Sequence, residues 1–435
     1  MGRSGISPWR RDGTGTTTSS CGSPGVLIPG SLDPRLAGRV ASAPALRAVS
    51  PRPAPGEGFV RLDALETALA WPLGVCADAR STGPGLTPRA ALEATALEAL
   101  TAGRCFVTFS GGRDSSAVLA VAAQVARREG LPLPVPVTMT YPGIPAADES
   151  SWQTMVLEHL RITERIVVRA DDDSSLLGPV AQASLARRGL LWPAALHLED
   201  PVLALVRGGQ VLTGEGGDEV LGARRVTPWT LLLREHRPPG RRLVRDLSRS
   251  ALPSAAPWRR AVAPWLRGAA RRAADARSVR RLERAPWHWG AATLALARRR
   301  PTVVLEHNLG VLAREHSVRV RHPLEEPRFL AALARAGGAW GYCGRTDLMR
   351  VLFGDLLPEP VLSRSTKASF SASRFGEIER EFVRSWDGAG LDPRLVRVDA
   401  LRAHWLGERP SGAPALLLHA AWLAAAGIAR EGAGS

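Results

Sequence analysis

Lysine is almost missing from this chain. Of 57 basic residues in a sequence of 435, only Lys367 is a lysine. Surface and ion-pair duties are filled by arginine everywhere else, so position 367 points to a task for a compact ammonium that a planar guanidinium cannot perform. Cysteine is scarce as well. Cys21, Cys76, Cys105 and Cys343 are scattered without a CxxC pair, which argues against a zinc site and against a disulfide framework. No apolar run reaches 18 residues; the nearest, 413–427, is interrupted by Pro414 and His419 and reads as a buried helix. The N-terminal arginines are not followed by an apolar stretch, so no secretory signal is visible and a cytoplasmic protein with no membrane partner is expected. No internal repeat is present.

Acidic residues are too few to balance the chain, whose formal net charge is +16. The imbalance is concentrated in residues 234–300, where 18 arginines face four acids, Glu235, Asp246, Asp275 and Glu283. Such a segment steers a polyanion or an acidic peptide, or forms the solvated face of arginine-rich helices. It contains no RNA-binding signature and no aromatic platform, so a nucleic-acid partner is not expected.

The remaining pattern is that of a globular protein with 45% hydrophobic residues, long enough for one large domain or two. Residues 1–58 are rich in Gly, Ser, Thr, Pro and Arg without periodicity and read as a disordered leader. Residues 59–100 read as a short helical N-terminal segment: one short helix and a turn, then an amphipathic helix over 88–102. From 101 to 430 strands and helices alternate before giving way to helices. Strands are expected at 105–109, 135–143, 164–170 and 208–212, with helices at 117–128, 150–160, 174–188 and up to 206. Asp148 or Ser150 is a suitable N-cap for the second of these. The alternation predicts an α/β fold, a parallel sheet with helices on both faces, followed by a largely helical C-terminal part.

Two glycine loops fall where strands of such a sheet end. In CFVTFSGGRDSS, Gly111 and Gly112 let backbone approach a ligand, and Ser110, Ser115 and Ser116 add hydroxyls at a helix start, where free N–H groups attract anions. Asp114 would repel phosphate unless a cation lies between them, so the economical reading is a nucleotide pyrophosphate held through Mg²⁺. No GK[ST] follows, which excludes the kinase-type phosphate loop. The second loop, TGEGGDE at 213–219, supplies Asp218 and Glu219, and with them a second carboxylate for the same metal.

SGGRDSS resembles the pyrophosphatase loop of ATP-dependent adenylating enzymes: asparagine synthetase, β-lactam synthetase, GMP synthetase and tRNA-modifying relatives. TGEGGDE resembles the SGEGxDE motif of the asparagine synthetase family's C-terminal synthetase domain. The resemblance extends over most of 101–425, through YPGIPAADESSWQTMVLEHL, HSVRVRHPLEEPRFLAALA and LLPEPVLSRSTKASF. The second of these keeps Arg321 and Pro323 but has Glu326 where the family has Asp. The last puts Lys367, the lone lysine, at the family's catalytic lysine.

The resemblance implies an adenine nucleotide α-hydrolase-like fold and an ATP-dependent carbon–nitrogen ligase of the asparagine synthase type. Such an enzyme adenylates a carboxylate, releasing pyrophosphate and then AMP as an amide forms. Ser110, Gly111, Gly112, Asp114, Ser115 and Ser116 would form the pyrophosphate loop, and Asp114 and Asp218 would bind Mg²⁺. Phe109, Met139, Thr213 and Gly214 would contact the adenosine of ATP, largely through backbone. Lys367 would stabilise charge on the α-phosphate, and Glu215 would orient or deprotonate the amine. Arg321 would help hold phosphate, or else form an ion pair with Glu325 or Glu326.

Glutamine-dependent members begin with a cysteine after Met1 and carry a glutaminase domain; here Gly2 follows Met1 and fewer than 110 residues precede the first loop. Nitrogen is therefore expected from ammonia, a separate amidotransferase, or an amine on a small-molecule or peptide substrate. A macrolactam-forming cyclase of the lasso-peptide or β-lactam synthetase type, acting on a precursor peptide in the first case, is the close rival to an asparagine-forming enzyme. A tRNA-modifying adenylase and a non-catalytic nucleotide-binding protein are the readings from other classes.

Overall fold

The protein is described by a computed structural model covering residues 49–50, 52–54, 56–76, 85–170, 175–235, 240–251, 263–283, 286–366, 374–407 and 412–428. Lys367, and most of the expected leader, lie outside these residues. Within the leader's expected span, β1 (Val49–Ser50) pairs in parallel with β2 (Val75–Cys76). Two residues held by a distant strand carry no periodicity, so nothing in the local sequence announces them.

The main sheet has five strands: β3 (Cys105–Thr108), β4 (Val135–Thr140), β5 (Ile166–Arg169), β6 (Gln210–Leu212) and β7 (Arg319–Arg321). Their order is β5-β4-β3-β6-β7, and every neighbouring pair is parallel. The chain builds outward from β3 to β5, then crosses back to lay β6 on the other side of β3. The strand order therefore reverses between β3 and β6. Loops leaving two such strands diverge to opposite faces and leave a crevice between them, the place where open parallel sheets bind ligands.

Alternation along β3 explains the layers. Cys105, Val107 and Phe109 join one core with helices α2 (Pro88–Ala102) and α3 (Arg113–Arg128), whereas Phe106 joins another with Val135, Val137, Val211 and Leu312. Helices thus cover both faces, as parallel strands buried on two sides require. Helix α2 covers the expected 88–102, opening on a Thr87 cap and Pro88. Helix α3 starts four residues earlier than its apolar run, because Arg113 and Asp114 form its first turn. Helix α4 (Ser150–His159) follows β4, with the Asp148 carboxylate accepting from the Ser150 N–H at 2.9 Å. Strand β7 falls in a stretch expected to be helical. Three residues reading Arg-Val-Arg form a strand there because β6 offers an open edge, a tertiary cause.

Part of the arginine-rich segment is structural. Arg300 pairs with the fully buried Glu66 at 2.7 Å, and Arg277 with Asp63 at 3.2 Å. Both acids belong to the capping box of the short helix α1 (Ala64–Leu69). Cys76, Cys105 and Cys343 are free thiols.

Candidate functional site

The first glycine loop leaves β3, and the second leaves β6, so both open onto the crevice where strand order reverses. They touch. A Cβ on Gly214 would come within 2.7 Å of the Ser115 backbone nitrogen, and one on Gly217 would collide with the Asp114 carboxyl. Glycine at these positions is therefore a packing requirement as much as a conformational one. Gly111, with φ at +82°, adds the left-handed turn that L side chains rarely adopt. Together these contacts bring Asp114, on the first turn of α3, beside Asp218, in the short helix Gly217–Val220.

One guanidinium measures how close the two acids are. Arg345, at the start of helix Arg345–Phe353, donates to both Asp114 oxygens at 2.6 Å and also pairs with Asp218. Burial pushes the Asp114 carboxyl above its ordinary range, Arg345 pulls it back, and Asp218 pushes it up again. Two carboxylates converging on one cation form an oxygen-only donor pair. That is the donor set Mg²⁺ takes from protein when phosphate oxygens and water complete its shell. Among the described residues no group of three or more His, Cys, Asp or Glu could hold a metal, so these two acids fit a metal shared with a phosphate ligand rather than a closed protein cage.

Around this pair the loop residues divide. Ser110 is exposed, and its hydroxyl lies 3.2 Å from that of Ser115. Ser115 is turned inward, accepting from the Ser110 N–H at 3.3 Å and donating to the Gly112 carbonyl at 3.2 Å, so it braces the loop. Ser116 is fully buried without a hydrogen-bond partner for its hydroxyl. Phe109 is 2% exposed, so its side chain belongs to the core and only its backbone can reach a ligand. Met139 is half-buried at the end of β4. Thr213 is buried, its hydroxyl 2.7 Å from His322 Nδ1 and 3.2 Å from the Glu215 N–H, and Gly214 lies against the start of α3.

Glu215 is exposed at the loop and sits in a field of acids. Burial, followed by Glu306, Glu215 and Glu219, pushes the Glu325 carboxyl up to about 8. One Glu325 oxygen is buried without a partner, and the side chain packs where a Cβ on Gly216 would be. Burial also pushes Glu199 up to about 7, with Arg374 opposing and Glu215 adding to the shift. Sequence reasoning named neither Glu199 nor the burial of Glu325, because both arrive from other elements.

Arg321 is engaged by carboxylates in this structure. Its Nη1 donates to Glu98 of α2 at 2.9 Å and lies 3.9 Å from Glu326. Of the two expectations for this residue, the ion pair is what the structure displays, with Glu98 as its main partner. Arg345 is the residue missed outright, since in sequence it is one arginine among dozens.

A glycine loop and a carboxylate follow each of two adjacent parallel strands of this α/β fold and meet where strand order reverses, the place where open parallel sheets bind ligands. The asparagine synthase family matches residues 89–423, and the chain belongs to that family. Its membership supports an ATP-dependent amide-forming ligase in general terms. No curated protein matches the chain. Among the described residues, no helix is long and apolar enough to cross a membrane.

Proposed function

We propose that this protein activates a carboxylate with ATP and hands the acyl group to an amine. In the first step a carboxylate oxygen attacks the α-phosphorus and pyrophosphate departs. In the second, the amine nitrogen attacks the acyl carbon, the carbon–oxygen bond to AMP breaks, and a proton leaves the nitrogen. A carboxylate alone is a poor electrophile with a poor leaving group, and adenylation corrects both.

The site supplies parts for each step. Amides of the Ser110–Ser115 loop and the start of α3 face the departing pyrophosphate. Asp114 and Asp218 would hold Mg²⁺, which neutralises charge on the phosphate oxygens when bound. Thr213, Gly214, Phe109 and Met139 offer backbone to the adenosine. Glu215, exposed on the second loop, would orient the amine and take its proton. Lys367, outside the described residues, is assigned the charge on the α-phosphate from its family position and from being the chain's lone lysine. Arg321 stays committed to Glu98 in this reading.

The observation that carries the proposal is the convergence of Asp114 and Asp218 on one cation where strand order reverses. The test is ATP–pyrophosphate exchange with a panel of small and peptide carboxylates, wild type beside Lys367→Ala. Wild type should exchange, and the variant should lose about 100- to 1,000-fold. Equal exchange in both removes Lys367 from the mechanism. Mass spectrometry of products formed with ammonia or with amine-bearing substrates separates a simple amide from a macrolactam.

A further inference from the structure

The first loop is held from beneath by two side chains, and one of them comes from the C-terminal tail. Gln153 of α4 donates to the Ser110 carbonyl at 3.3 Å. Arg364 donates to the Gly111 carbonyl at 3.1 Å. Peptides 110–111 and 111–112 are trans, so in each unit the N–H points opposite to the carbonyl. Pulling two successive carbonyls into the protein therefore turns the Gly111 and Gly112 amides the other way, and the Gly112 N–H there meets the exposed Ser110 hydroxyl at 3.3 Å, an acceptor that an anion would replace or share. Successive amides turned in this way make an anion-binding concavity.

Arg364 is held in place for this because each of its three nitrogens makes a contact. Nη1 and Nη2 grip Glu149 at 2.6 and 2.5 Å, Nε donates to the Thr366 hydroxyl at 3.1 Å, and the guanidinium lies 4.5 Å from the centre of the Trp152 ring. The pair is sealed, with side chains 4% and 8% exposed. Glu149 and Trp152 belong to the start of α4, as Gln153 does, so the two carbonyl anchors share one platform. The Cα of Gly111 rests on that platform, since a Cβ there would meet Gln153 at 2.9 Å.

Resting on the adenylation reading above, we propose that Arg364 is the positioning residue of the phosphate loop. Through the Gly111 carbonyl it sets the direction of the loop amides and hence the affinity for the pyrophosphate part of the nucleotide. Its planar fork serves Glu149, Gly111 and Thr366 at once. An ammonium, with one nitrogen at the tip of a flexible stem, cannot reproduce that reach.

The full-length chain tests this with Arg364→Lys, probed with ATP·Mg²⁺ and with inorganic pyrophosphate by calorimetry and by exchange kinetics. The variant should melt within a few degrees of wild type. It should bind ATP and pyrophosphate about tenfold more weakly and exchange about 100-fold more slowly. Its KM for ATP should rise while its KM for the carboxylate stays unchanged. A variant that is merely less folded would lose turnover with both KM values intact, and that pattern overturns the proposal. Should Arg364→Lys not fold, Gln153→Leu, which cuts the neighbouring carbonyl anchor without touching a charge, must give the same selective rise for ATP. Wild-type nucleotide affinity in the folded variant also overturns the role of Arg364. Failure of the wild type itself to bind ATP·Mg²⁺ overturns the adenylation reading instead.

Discussion

Arg188 and Arg345 each hold two carboxylates, and their surroundings set them to different tasks. Arg188 grips Asp200 at 2.8 Å and Glu315 at 2.6 Å, donates to the Ser184 hydroxyl at 2.7 Å, and has a side chain only 2% exposed. His316 Nε2 lies 2.7 Å from the same Asp200. Burial would raise the Asp200 carboxyl, but its hydrogen bonds from Arg188 and His316 outweigh that and hold it below its ordinary range. The guanidinium is sealed although its acids keep one edge toward solvent, and each charge there has a partner on a helix or its flank. Arg345 is 20% exposed, its two acids stand on the first helical turns after the glycine loops, and burial leaves Asp114 above its ordinary range despite the pair. The half-buried acids nearby, led by Glu325, are pushed up too. Pairing wins over burial in the first cluster and loses in the second. A cluster whose charge is under-answered is one that a cationic or metal-bearing ligand can complete.

The largest test of that contrast is Arg188→Met. It leaves Asp200 and Glu315 without their guanidinium and should lower unfolding free energy by about 3 kcal/mol in urea titrations, with nucleotide affinity unchanged in the folded fraction. A loss below about 1 kcal/mol would dissolve the distinction between the clusters.

Next comes the pH profile of Glu325. Its folded carboxyl keeps a proton up to about pH 8, whereas an unfolded glutamate releases it near 4.5. In that window the native state binds more protons, so wild-type stability falls as pH rises from about 4.5 to about 8. Glu325→Gln removes this contribution. Its stability relative to wild type should be level near pH 4 and grow to about 2 kcal/mol by pH 9, a figure reduced for the water that reaches the side chain. Parallel profiles for the two proteins would show that Glu325 is as well paired as Asp200.

Arg345→Gln should have the smallest effect on stability, about 1 kcal/mol or less by thermal melting. It should also open Asp114 and Asp218 to a divalent cation, seen as Mn²⁺ binding by electron paramagnetic resonance without nucleotide. A stability loss equal to that of Arg188→Met would make both arginines structural.

Much of the architecture was legible locally. The continuous apolar, β-prone run of β3, the Thr87–Pro88 opening of α2 and the glycines at 111, 112, 214, 216 and 217 each act over a few residues, so their signals survive in a linear reading. Asp114 and Asp218 could be paired in advance because parallel strands put their loops at one end of the sheet. What lay beyond reach was set by contacts far apart in the chain. Strand β7 exists because β6 has an edge, β1 because β2 lies beside it, and Arg321 meets Glu98 across more than two hundred residues.

Sequence alone determined the class of chemistry: two glycine loops with acids, each after a strand, and one lysine in an arginine-writing chain. Tertiary structure decided which arginines matter, placing Arg345 between the acids, Arg364 under the loop and Arg188, itself buried, between Asp200 and Glu315. The reason is physical. Backbone conformation and apolar period are local properties of residue type, whereas the work of a guanidinium depends on which carboxylates and carbonyls the fold carries within about 3 Å of it.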